Sequence, residues 1–139
     1  MRLKLLIALA SLAAAPAVAQ TKPNEAREMM ENMGIAPSPA DLKKAIAAAQ
    51  KYPLGSKLNP VRENMPQGQR AYLARLRCAD AQAPFSERLG NIGAGAFGFT
   101  VDHFKVTCPG RAPVDVFMDL YHDGPETRPV PGFTMAPAG

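Results

Sequence analysis

The residue types best suited to chemistry in this chain are two histidines, two cysteines, a glycine-rich run and a group of methionines. His103 follows Asp102, and His122 stands between Asp119 and Asp123. A histidine beside a carboxylate is the usual start of general-base or metal chemistry. On an extended strand, however, residues one or three apart point to opposite faces. Neither Asp102 with His103 nor Asp119 with His122 is therefore expected to act as a local pair. Gly93-Ala94-Gly95-Ala96-Phe97-Gly98 spells G-x-G-x-x-G. That motif cradles a pyrophosphate only where a strand precedes it and a helix follows. Here a strand-like stretch follows, so the glycines are read as an adaptable loop. Met29, Met30 and Met33 carry soft thioethers that suit Cu(I). At helical spacing they read instead as core filler, and no cofactor or metal is expected.

No serine occupies a nucleophile-elbow context, and the basic residues are not interleaved with aromatics as nucleic-acid binding would want. Two cysteines in an exported chain most simply form one disulfide, Cys78–Cys108. Export is itself the expectation from the N-terminus. Arg2 and Lys4 precede an apolar run, Leu5 to Ala15, and Ala17-Val18-Ala19 offers a small-residue cleavage site. Residues 1–19 are thus expected to be a signal peptide, with Pro16 closing the run short of the ~20 apolar residues of a membrane span. Loss of Arg2 and Lys4 takes the formal charge from +4 to +2. The remaining charge is uneven, with bases dominating residues 20–78 and acids residues 79–139, as two halves of one fold that attract each other would have.

The elements that must position these groups centre on Phe97–Cys108 and Val114–His122, which alternate as half-buried strands do. An even-numbered Pro-Gly turn would set Phe97, Phe99, Val101, His103 and Lys105 on one face with Val114, Val116, Met118 and Leu120. Phe104, Val106, Phe117 and Tyr121 would share the other face with Thr100, Asp102, Asp115 and Asp119. That second face is too apolar to be freely solvated, and the Pro-rich tail with Phe133 is expected across it.

Thr21–Asn32 reads as an amphipathic helix stopped by Gly34. A second helix starts at Ser38-Pro39-Ala40-Asp41, a capping arrangement, and ends before Pro53. Residues 54–69 read as irregular connection, with a short edge strand at Pro60-Val61-Arg62. Arg70–Cys78 suits either strand or helix, and strand is chosen because a brief return strand at Phe85–Leu89 then lets both cysteines finish at one end of the sheet.

The expected architecture is α+β, with one or two N-terminal helices on the Val114/Val116/Met118/Leu120 face of a three- to four-stranded antiparallel sheet. Its divisions are an N-terminal helical segment over 20–37, an α+β domain over 38–122 and an extended Pro-rich tail over 123–139. The expected function is that of a periplasmic or secreted, non-catalytic binding or envelope-associated domain, with inhibition of an exported hydrolase as a variant. Its partner would be a protein or small ligand of that compartment, not nucleic acid, and no transmembrane segment remains once the signal is removed. Arg75, Arg77, Asp115, Phe117, Asp119 and Tyr121 are the first contact candidates, and Gly90–Gly98 is the inhibitory loop. The alternative is a small hydrolase or metal-dependent enzyme using His103 or His122 with a nearby aspartate.

Overall fold

The structure, a computed structural model, describes residues 21–139. The expected signal peptide lies outside the described residues. Helix α1 (Glu25–Asn32) starts where the Asn24 side chain accepts the Arg27 N–H. Helix α2 (Pro39–Ala49) begins as its sequence foretells, with Ser38 capping Asp41 N–H and Pro39 in the first turn. Among the described residues, no helix is long and apolar enough to cross a membrane.

The fold is α+β and holds the expected Cys78–Cys108 disulfide, but its four-stranded sheet is mixed rather than antiparallel throughout. Strands β3 (Phe85–Ala94), β4 (Thr100–Thr107) and β5 (Val114–Asp119) form an antiparallel meander. The short strand β1 (Val61–Arg62), foreseen at the edge, pairs parallel to β5. The order is β1-β5-β4-β3, which leaves β3 as the outer strand.

Two expectations are corrected. Residues Arg70–Cys78 are not a strand. Helix α3 (Met65–Arg75) starts inside the stretch 54–69 expected to be irregular and runs through most of 70–78, followed by a two-residue strand β2 (Leu76–Arg77). The burial of Gln69, Tyr72, Leu73 and Leu76 shows why: spacings of three and four make one helical stripe, which a strand would split between two faces. The disulfide still closes, because β2 carries Cys78 to the end of β4.

The second correction is the register of the central hairpin. Val106 pairs with Val114 and Phe104 with Val116, so the connection 107–113 has an odd length. A shift of one residue moves a whole row of side chains to the opposite face. Phe104, Val106, Val116 and Met118 accordingly share one core cluster with Val61, Tyr72, Leu73, Leu76 and Val130. That face is covered by α3 and the tail, not by the N-terminal helices. Phe133 and Met135 of the tail pack against it, and strand β6 (Thr134–Met135) pairs with β2. Helix α2 has a different partner. Its Leu42 and Ala49 bury Phe97 and Phe99, which precede β4 in the glycine-rich turn.

Candidate functional site

Helix α3 covers only part of the sheet. Beside it, an open groove of about 730 Å³ runs over β4 and β3, within the size range of ligand clefts. Its floor is Thr100, Asp102 and Phe104 of β4, with Ser86, Arg88 and Asn91 of β3. Pairing sets these on one face: Ser86 opposite Val106, Arg88 opposite Phe104 and Asn91 opposite Asp102. Pro66, Gln69, Arg70 and Leu73 of α3 make the wall, and Leu120 and Tyr121 close one end.

The groove combines apolar walls with hydrogen-bond donors. Gln69 is 3% exposed, and its Nε2 has no hydrogen-bond partner among the described residues. Arg88 donates to the buried Asp102 carboxylate at 2.6 Å, a contact that raises the guanidinium above its ordinary value. Arg70 lines the groove with no ionic partner among the described residues. The arrangement fits an amphipathic molecule with acceptor oxygens or a negative charge.

The expected site residues do not converge. Arg75 Nε donates to the Ala136 carbonyl at 2.9 Å, and Arg77 to the carbonyls of Ala74 and Leu76, so both hold backbone. Asp115 and Phe117 lie on the sheet face away from α3. Phe117 is buried and stacks on His103 at 4.5 Å, and His103 Nε2 meets Asp115 Oδ1 at 2.8 Å. His103 and Asp102 diverge as foreseen, since Asp102 faces the groove. Asp119 is fully buried. Tyr121 alone of the six lines the groove. The expected Gly90–Gly98 contact loop is largely strand, because β3 continues to Ala94.

His122 and Asp119 depart from expectation. They were to point apart along a strand, but β5 ends at Asp119 and the chain turns. His122 Nε2 comes within 3.1 Å of Asp119 Oδ2, off the line of a hydrogen bond, so neither atom has a hydrogen-bond partner among the described residues. The imidazole is packed edge-on against Phe97 and Phe99. It lines a second cavity of about 360 Å³ with Arg27, Glu31, Lys43, Arg62 and Asp123. Arg27 is held there by Glu31 at 3.2 Å and Asp123 at 3.0 Å. Burial pushes the Asp123 carboxyl up, but hydrogen bonds from Arg27 and from Asn24 N–H outweigh it and leave Asp123 below the usual carboxylate range.

A third polar cluster ties the tail to β1 and to Glu63, the residue after it. Glu63 is 1% exposed and accepts the Glu126 N–H at 2.9 Å. Burial pushes the Glu63 carboxyl up to about 7, the nearby Glu126 charge adding to the rise and backbone hydrogen bonds opposing it. Glu126 meets Arg128 at 3.0 Å and Arg62 at 3.2 Å. Burial alone would raise Glu126, yet Arg128 and Arg62 together bring it below its ordinary value. Among the described residues, no three histidine, cysteine, aspartate or glutamate side chains stand close enough to hold a metal ion.

Gln69, Arg70 and Arg88 were missed as site residues. Reading 70–78 as strand removed the helix that makes the groove wall, and with it the face that Gln69 and Arg70 present. Compared with protein-family models, curated proteins and solved structures, the chain matches none.

Proposed function

We propose that the chain is an exported, non-catalytic binding domain and that its ligand sits in the groove between α3 and β3–β4. The observation that carries this reading is the Gln69 amide. Its Nε2 is closed off without a partner among the described residues, at a cost of about 1–3 kcal/mol, and turning the side chain toward a ligand acceptor in the groove would relieve that cost. Arg70, with no ionic partner among the described residues, supplies a cation beside it, so the preferred ligand has an apolar body and an anionic or carbonyl-rich end. Export rests on the N-terminal pattern and on the disulfide, which forms and persists in oxidising compartments.

The test uses anilinonaphthalene sulfonate, an aromatic anion, as the probe. A single saturable site on the folded protein is expected. Arg70→Ala should weaken it by about tenfold, as loss of one charge-assisted hydrogen bond does. Gln69→Leu should weaken it too, while His103→Ala, on the opposite face, should not. Binding indifferent to both groove substitutions would refute the reading.

The hydrolase reading has one observation in its favour, the approach of His122 to Asp119 at a cavity. That cavity is lined by no hydroxyl or thiol nucleophile, and Arg27 and Arg62 are already engaged by carboxylates. Hydrolysis of a nitrophenyl ester or phosphate that vanishes in His122→Gln would restore it.

A further inference from the structure

We infer that the partner taken by this groove is an extended polypeptide segment of alternating acidic and apolar residues, which adds to the sheet along the free edge of β3; this rests on the groove being the binding site. The groove has only one wall. Helix α3 bounds one side, and on the other the floor ends at β3, the last strand of the sheet. An edge strand presents unpaired N–H and C=O groups to any chain that can lie beside it. From Phe85 to Arg88 the pairing of β3 with β4 is regular, and beyond Arg88 the register shifts. Phe85–Arg88 is therefore the stretch with a flat outer edge. A fifth strand there, ~4.8 Å beyond β3, would supply the missing wall.

Side-chain chemistry on the two faces sets what that strand must be. Its inward side chains would stand beside Ser86 and Arg88, across from Arg70 and the unpartnered Gln69 amide. Arg88 and Asp102 neutralise each other there, which leaves Arg70 as the unmatched charge among the described lining residues. Inward positions accordingly select glutamate or aspartate. Outward positions fall beside Phe85, which is 70% exposed, and beside Glu87. An apolar residue gains contact with Phe85, whereas an acidic one would meet Glu87. The same pattern read one residue out of step puts acids against Glu87, so the two faces together fix the register.

The probe is an acetylated, amidated heptapeptide alternating valine and glutamate. Its controls are the valine–lysine counterpart and a copy N-methylated at alternate backbone nitrogens. The full folded chain should bind the glutamate peptide at least tenfold more tightly than either control. Alternate amides of Phe85–Arg88 should become protected from hydrogen exchange. Arg70→Glu should reverse the preference toward the lysine peptide. Binding that tolerates N-methylation and leaves the β3 amides unprotected overturns strand addition, as does failure of both peptides to bind. If the naphthalene sulfonate still binds through Arg70 and Gln69 in either case, the groove stands and only the peptide inference falls.

Discussion

Replacing Glu63 with glutamine should flatten the dependence of stability on pH between 5 and 8. In the folded chain the Glu63 carboxyl titrates near 7 because it is buried between β1 and the tail, against an ordinary value of 4.5. A carboxyl raised in this way binds its proton more tightly folded than unfolded. Its contribution is fully present below about pH 4.5 and is lost as pH rises through about 7. Between pH 5 and pH 8 the loss amounts to about 2.5 kcal/mol, taking 1.36 kcal/mol for each pH unit between the two values and allowing for partial ionisation at the ends. In urea titrations this moves the midpoint down by roughly 1–2.5 M for the slopes usual in small domains. Asp123 and Glu126 lie below their ordinary values, so their stabilisation is lost only in acid, outside this window. Glutamine keeps an oxygen to accept the Glu126 N–H and carries no charge, so Glu63→Gln resembles the protonated acid at every pH. The variant should match the parent near pH 3, exceed it by about 0.8 kcal/mol at pH 5, where the unfolded carboxyl is already mostly ionised, and exceed it by about 3.3 kcal/mol at pH 8. A parent whose stability rises from pH 5 to 8, or a variant that keeps the parent's full slope, would refute the account of Glu63.

Two further outcomes follow from the same structure. The disulfide closes a loop with a sequence separation of 30, and its loss in the double variant Cys78→Ala/Cys108→Ala should lower the unfolding free energy by about 3–4 kcal/mol in urea at pH 6. Tyr72→Phe removes the hydroxyl that donates to the Arg128 carbonyl at 2.9 Å and should cost about 1 kcal/mol, with faster hydrogen exchange confined to the tail around residues 128–130.

The residues that could be read correctly were those whose signals are local. Ser38 and Pro39 start a helix wherever they stand, and the cysteine pair needs only one chain reversal between them. What failed depended on distance along the chain. Whether Arg70–Cys78 forms helix or strand is decided by what buries Tyr72 and Leu73 together, namely Phe104, Val116 and Val130 from the far end of the sequence. The hairpin register turned on one residue of loop length between Val106 and Val114, which no alternation within either strand reports. The groove was illegible for both reasons at once. Its wall is a helix whose sequence also alternates as a strand does, and its floor lies on the face that an even-numbered turn misplaces. His122 and Asp119 met because β5 stops one residue before Leu120, and strand parity cannot foresee where a strand stops.

The polar groups inside this fold fall into two kinds, and the difference between them supports the proposed site. Asn24, Glu63, Glu126 and Tyr72 are buried and hydrogen-bonded, and each ties the N-terminal segment or the tail to the rest of the fold. Satisfied groups of this sort fix one arrangement of the chain and ask for no ligand. The atoms left without partners are Ser56 Oγ, Asp119 Oδ2, His122 Nε2 and Gln69 Nε2 among the described residues. Asp119 and His122 face each other at 3.1 Å, and a small movement of the ring would satisfy both. The Ser56 hydroxyl is a free rotor, for which reorientation is the least costly of these adjustments. Gln69 differs, since it lies in the wall of the groove, one residue before Arg70, which has no ionic partner among the described residues. A leucine there would pack as well against Leu73 and leave no donor stranded, so the free protein would be as stable or more so. Under the binding reading proposed above, the glutamine serves what enters the groove rather than what the fold requires.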